Sequence, residues 1–531
     1  MKRSRIFLAA AAAAFTLLLT ACQAESAPVI QEISPKGMIL ADETQTVAVS
    51  LSEAPEPTTE AVRNGVFLNL KEMGAKGDGV TDDTEIFRQA LEQVTETGGT
   101  VYIPAGEYYL SERLNFNGEN ITICGDGQAS RLIYYCDQTR KLSDTDRISK
   151  TLLFMKNGTD IVIRDLYIEM VGEFFDDLLE SYHGAACGII INNGTDVLIE
   201  NVEITGFNSS GIHISGAKYS KNVTVRGCHI HHNRVAGVLF GDVDGLLITD
   251  CVMEYMGSPK DAGTGYGCAG ASDCRPLNVR IVNNQANYNY RKGIDMHAGE
   301  NAVIEGNTCN ANRLYGIYTE GPKTNHVVIK DNIISNMNYD DIGLGEIYDF
   351  IIGIAVGPYT AADGVDYEFQ VIGNVIENFG LVKGDAIGIQ LYGPAFEGTY
   401  TVKDNIITGT DISRLIVTGG GIASPTVENS YIIEGNHFYA EKLKAVPISF
   451  GKFRELIFTN NTVEIKNCAS HSEAVIRAYN SSKNSVVYMR GNVLDAAYAT
   501  RYYELAEPCD AVLFADNIVN GKPFTIAGTK Q

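Results

Sequence analysis

One phrase recurs along the second half of the chain and narrows what it can fold into. Two β-branched or apolar residues are followed by a polar residue, then Gly, Asp or Asn, then Asn. It reads VRIVNN (ending on Asn284), VIEGN (Asn307), VIKDN (Asn332), QVIGN (Asn374), TVKDN (Asn405), IIEGN (Asn436), IFTNN (Asn461), YMRGN (Asn492) and FADN (Asn517). The closing Asn residues are separated by 23, 25, 42, 31, 31, 25, 31 and 25 residues. Unequal periods of twenty-odd residues and more describe a solenoid whose turns carry loops of different length. Asn repeated at one turn position can hydrogen-bond to the coils above and below, so these residues are expected to be structural rather than ligand-binding. Cys228 in VRGC and Cys251 in ITDC hold the same position, where a thiol can stack. The expected class is all-β, a single-stranded parallel β-helix; a propeller or a sandwich does not account for phrases of one strand each. A chain of 531 residues would otherwise read as three or four domains, whereas a solenoid grows linearly and needs one.

A second phrase precedes the first and carries the chemistry. Gly opens it, and alternating residues follow at Gly188–Asn192, Gly211–Ser215, Gly237–Gly241, Gly293–His297, Gly316–Glu320, Gly353–Gly357 and Gly388–Tyr392. Strand alternation sends the residues one and three past the Gly inward, and those two and four past it outward. The inward set is almost wholly aliphatic: Ile189, Ile212, Val238, Ile294, Met296, Ile317, Ile354 and Ile389. Outward, polar groups gather in the middle of the chain. Asp295 and His297 share a strand face, with Tyr318 and Glu320 in register one coil later, about 4.8 Å away. Arg291, Lys292, Arg313 and Tyr315 precede these strands, Tyr290 lies just before them, and His213 holds the outward position nearer the N-terminus. Two carboxylates beside an imidazole perturb one another's protonation, as working sites require.

The N-terminus reads as an export signal. Lys2, Arg3 and Arg5 precede an apolar run from Ile6 to Ala21. Its end, Leu19-Thr20-Ala21-Cys22, resembles the lipobox of bacterial lipoproteins, which implies lipidation of Cys22 and an extracytoplasmic, membrane-anchored protein. The expected organisation is a signal at 1–21, a flexible tether at 22–65 rich in Glu, Thr, Ala, Pro and Ser, and the β-helix at 66–531. Removing residues 1–21 takes away three cations and no acid, so the net charge of −23 becomes −26. That charge excludes a nucleic-acid partner, and no later stretch is long and apolar enough for a second membrane anchor. The chain is expected to act as a monomer. Cys268 and Cys274 are close enough in sequence for a loop disulfide; the other cysteines read as buried thiols.

Leu70–Leu110 (LKEMGAKGDGVTDDTEIFRQALEQVTETGGTVYIPAGEYYL) reads as a turn, a helix capped near Thr81–Asp83 with Ile86, Phe87, Ala90, Leu91 and Val94 on one face, and a short strand after Gly98-Gly99. This run resembles the entry segment of the pectin-lyase-like, or rhamnogalacturonase/epimerase-like, right-handed parallel β-helix proteins. The resemblance implies a right-handed solenoid whose open N-terminal end the helix caps. GIDMH and, one turn later, GIYTE look like the site pattern of the mannuronan C5-epimerases, Tyr-Gly-Phe-Asp-Pro-His followed by Gly-Phe-x-x-Asp. Asp295 and His297 match that family's Asp and His, and Glu320 stands for its second Asp. Its Tyr falls at Lys292, so Tyr290 or Tyr318 is left to supply a phenol.

That pattern implies a lyase or C5-epimerase acting on a uronic-acid polysaccharide by removal of the C5 proton. His297 is the expected base, Lys292 or a Tyr the partner acid, and Asp295 and Glu320 neutralise or orient. Arg291 and Arg313 are expected to bind substrate carboxylate, with His213, Tyr290 and Tyr315 lining the site. Two rivals stay open: a glycoside hydrolase using Asp295 and Glu320 as paired carboxylates, and a non-catalytic glycan-binding lipoprotein. Asp340-Asp341 is present, but the remaining motifs of the polygalacturonase-type hydrolases are not, and a chain without Trp lacks the Trp-containing motif of one group of pectate lyases. No metal set and no resident cofactor is expected, with Ca²⁺ left open as a neutralising ion. Longer segments at 171–186, 256–276 and 338–350 are expected to wall a groove and offer Tyr182, Tyr266 and Tyr339 to sugar rings.

Overall fold

The computed structural model describes residues 65–135, 151–172, 186–257, 264–271, 274–319, 321, 324–337, 350–358, 367–380, 384–392, 398–419, 429–451, 453–468, 474–478, 485–499, 501–505 and 511–524. The expected signal, Cys22 and all of the tether but Gly65 lie outside them, as do Tyr182, Glu320, Tyr339, Asp340 and Asp341. The described chain is a right-handed parallel β-helix, as expected, and it falls into two units, one within Ser50–Thr319 and His326–Ile351, the other within Glu320–Asn325 and Ile352–Gln531.

In the N-terminal unit each coil contributes one strand to each of three parallel sheets. The first sheet stacks Ile189–Asn192, Ser210–Ser215, Ala236–Phe240, Tyr266–Gly270, Lys292–Met296 and Tyr315–Thr319 in register. The second runs from Thr195–Thr205 through Ser220–Arg226, Val243–Thr249 and Leu277–Val282 to Glu300–Glu305. The third includes His229–His231, Val252–Glu254, Gln285–Asn287 and Thr308–Asn310. The predicted inward residues Ile189, Ile212, Val238, Ile294, Met296 and Ile317 are completely buried. The Gly that opens each first-sheet strand has a steric cause: a Cβ on Gly293 would sit 2.8 Å from the Gly316 carbonyl oxygen and 3.0 Å from Cys309 Sγ.

The helix spans Thr84–Thr97 and buries Phe87, Ala90, Leu91 and Val94, with Ile86 only half-covered. Asp83 stands at its N-cap but makes no side-chain bond to the helix. Its buried carboxylate accepts from the backbone N–H of Lys76 at 2.7 Å and Gly77 at 2.9 Å, tying the helix to the preceding turn.

The ladder is present in both units. Asn284 donates to Asn307 Oδ1 at 3.0 Å and Asn307 to Asn332 Oδ1 at 2.9 Å, each also donating to a carbonyl of the preceding coil. In the C-terminal unit Asn374, Asn405, Asn436, Asn461, Asn492 and Asn517 repeat the arrangement. The Cys251 backbone N–H donates to Asn284 Oδ1 at 2.9 Å, so the thiol does stand in the same slot. The residue before each ladder position is left-handed, Gly306 at φ 66°, Asp331 at 56° and Asn460 at 56°, which is why the phrase carries Gly, Asp or Asn there. A second ladder through Asn289 and Asn312 (3.0 Å) fixes the corner before the first sheet. It is signalled by N-x-x-x-G in Asn289–Gly293 and Asn312–Gly316 and was not anticipated.

Two expectations are corrected. Cys268 and Cys274 form no disulfide with each other: Cys268 points into the core between Val238 and Ile294, away from any loop partner. The 256–276 segment is not simply a wall, because Tyr266–Gly270 is itself a first-sheet strand, with Gly267 and Cys268 in the opening and inward slots.

Candidate active site

The first sheet brings four predicted residues together. Asp295 faces outward on Lys292–Met296 yet is completely buried by its neighbours. One carboxylate oxygen accepts from Lys292 Nζ at 2.8 Å and the other lies 2.9 Å from His297 Nδ1. Burial alone would raise this carboxyl; the charges and hydrogen bonds of His297 and Lys292 outweigh it and hold the group down at about 2. Asp295 is therefore ionised across the working pH range. With Nδ1 of His297 turned to Asp295, the proton is assigned there and Nε2 is left as the basic nitrogen. The His297 side chain is 30% exposed, so this nitrogen belongs to the one group of the trio that opens substantially to solvent.

Lys292 is walled in. Tyr266 and Tyr315 are its register neighbours on the adjoining coils, and its ammonium lies 5.6 and 5.2 Å from their ring centroids. Tyr318, in register with Asp295 as expected, covers it at 3.5 Å. A desolvated ammonium over ring faces is favourable at this range, and the Lys292 side chain is 3% exposed. Tyr318 lies 5.7 Å from the His297 ring, centroid to centroid, and 4.5 Å from Tyr315.

The remaining candidates are distributed around this centre. Arg291 is half-buried and donates to the Tyr266 hydroxyl at 2.7 Å. Tyr290 and Arg313 are 0% and 2% exposed, the guanidinium 5.4 Å from the ring, so they pack beneath the site and do not line it. His213 shares the outward column with Asp295 but stands three rungs away, roughly 14 Å at the parallel-strand spacing. Burial pushes its imidazole down to about 4, so it is neutral at ordinary pH. Tyr266 was expected to stack on sugar from a loop; it is 8% exposed and supports Lys292 and Arg291. Its signal was the Gly265-Tyr266-Gly267 run, which repeats the opening of the neighbouring coils.

A rhamnogalacturonase A/epimerase, pectate lyase-like family model matches residues 67–172, and a right-handed β-helix region model matches residues 152–322. Over these residues the chain is similar to the pectate-lyase-like right-handed β-helix proteins. Among its relatives, the protein YclG of Bacillus subtilis (strain 168) is 25% identical over 386 residues, 66% of this chain and 59% of that one. Mannuronan C5-epimerase AlgE1 of Azotobacter vinelandii is 30% identical over 186 residues, 32% of this chain and 12% of that one. The chain thus spans less than two thirds of the length of these relatives. The tailspike protein of E. coli bacteriophage HK620 shares the fold with a TM-score of 0.53 at 14% identity, covering 86% of this chain and 78% of that one.

Proposed function

We propose that this β-helix is a polysaccharide lyase or C5-epimerase acting on uronic-acid residues, with His297 as the base that removes the C5 proton. The observation that carries the reading is the buried Asp295 carboxylate bridging Lys292 and His297. It orients the imidazole, leaves Nε2 basic and stabilises the imidazolium once the proton is taken. In this reaction the C5–H bond breaks and its electron pair passes into the substrate carboxylate. Arg291, half-buried beside the trio, offsets that charge. The partner acid is Tyr318, 7% exposed over Lys292, whose phenol must turn out of the cage to give its proton to the departing 4-oxygen in a lyase, or to the opposite face of C5 in an epimerase. Arg291 beside the Lys292–Asp295 pair leaves a cation to meet an anionic polymer at the site of an otherwise acidic protein.

The similarity to a mannuronan C5-epimerase, a protein named for a uronic-acid polymer, supports the same substrate class. A hydrolase needs a carboxylic acid to protonate the leaving oxygen and a second carboxylate. Asp295 is buried, doubly paired and ionised, which speaks against it in either role. The Cys22 sequence supports attachment to a bacterial membrane by lipid. The test is incubation with pectic, alginate and glycosaminoglycan polymers in D₂O. Unsaturated ends indicate a lyase, deuterium at C5 without chain cleavage an epimerase, and new reducing ends without unsaturation would sink the proposal.

A further inference from the structure

A separate cluster lies on the third sheet of the N-terminal unit. Alternation on His229–His231 sends both imidazoles out on one side of the coil, with ring centroids 4.4 Å apart. The preceding coil places Glu203 opposite His229, and the following coil places Glu254 opposite His231. The contacts run diagonally: His231 Nε2 is 3.3 Å from Glu203 Oε1, and His229 Nε2 is 3.1 Å from Glu254 Oε1. One donor atom from each of Glu203, His229 and His231 falls within 4.8 Å of the others. Two ligands bound at about 2.0–2.1 Å to a tetrahedral ion stand about 3.3 Å apart, the His231–Glu203 separation.

Outer contacts orient these groups. His231 Nδ1 lies 3.2 Å from Thr205 Oγ1 and 2.8 Å from His232 Nδ1, which turns Nε2 toward Glu203. The second oxygen of Glu203 accepts from Gln128 Nε2 at 2.6 Å. Such partners on the far side of an imidazole and a carboxylate are what metal sites use to fix tautomer and direction. His232 stands beside His231 at 5.0 Å between ring centroids.

We propose that Glu203, His229 and His231 bind one divalent transition-metal ion that ties two successive coils together. Zn²⁺ fits the donor set best, since imidazole suits it and a Ca²⁺ site is built of oxygens. The site is independent of the Asp295 cluster, which uses another sheet.

The test uses the full-length chain stripped with a chelator and titrated with Zn²⁺ by calorimetry, with thermal unfolding in parallel. One ion should bind per chain and raise the unfolding temperature. His229→Ala/His231→Ala should bind at least about 100-fold more weakly and lose the thermal shift. Glu203→Gln, which keeps the side-chain size, should weaken binding in the same direction and stands in if the double variant does not fold. X-ray absorption should show two imidazole nitrogens with oxygen and no sulfur. Undiminished binding in the variants, sulfur in the coordination sphere, or no saturable binding by the parent chain would overturn the proposal.

Discussion

Lys292→Met removes the ammonium from the aromatic cage while keeping most of its stem. In the parent chain Asp295 and Lys292 are 0% and 3% exposed and 2.8 Å apart. The Asp295 carboxyl sits at about 2 against an ordinary 3.8. At about 1.4 kcal/mol per unit, ionisation of this one group contributes about 2 kcal/mol to folding. That contribution is complete above pH 4 and is lost as the pH falls from there through 2, where the folded carboxyl takes up its proton. With the ammonium gone, a buried carboxylate keeps one imidazole neighbour, and breaking a buried pair from one side costs roughly 3–5 kcal/mol. Adding Asp295→Asn removes the stranded charge, so the double variant should recover most of the loss. Urea unfolding at pH 7 reads the cycle through tyrosine emission, the chain having 27 Tyr and no Trp. The Lys292→Met deficit should also narrow as the pH is lowered toward 4, because its unpaired carboxyl can then protonate. Single effects that simply add, with no recovery in the double variant, would refute the reasoning.

Three further outcomes follow from the same geometry. Asn307→Ala strands the Ile281 carbonyl and the Asn284 N–H inside the coil, at roughly 1–3 kcal/mol each, and should lower the unfolding midpoint well beyond an Ala substitution at an exposed Asn. Gly293→Ala forces a methyl to within 2.8 Å of the Gly316 carbonyl oxygen and should reduce soluble yield and melting temperature even though it adds helix- and strand-compatible bulk. Alkylation without reductant followed by peptide mass mapping should find Cys274 modified and no Cys268–Cys274 disulfide, with Cys268 labelled only after unfolding, since burial pushes that thiol well up.

The solenoid was legible because its constraints are periodic. Each ladder Asn sits after a left-handed residue, and Ile189, Ile212, Val238 and Ile294 each follow a Gly that lacks room for a Cβ, so both leave marks in sequence. The pairing of Asp295 with Tyr318 followed from the same register. What alternation does not say is which outward residues the neighbouring coils will cover. A period of two sends Lys292 to the side of Ile294, yet its ammonium reaches Asp295 and the cage closes over it. Tyr290 and Arg313 look accessible in sequence and are buried at the corner made by the second Asn ladder. The coil carrying Tyr266 looks like an inserted segment in sequence, because the long stretch before it hides the repeat. The Glu203–His229–His231 set was hidden for a similar reason: its members come from two coils, and only the register brings them together.

The central claim, that His297 removes the C5 proton with Asp295 holding it in place, is tested most directly by C5 deuterium exchange. The polymer that the parent enzyme turns over is incubated in D₂O with the parent chain and with His297→Gln, and C5 deuterium and unsaturated ends are read by NMR. The account predicts turnover by the parent chain and a loss of about 100-fold or more in the variant, the range of a general base. Turnover by His297→Gln at the parent rate would contradict it.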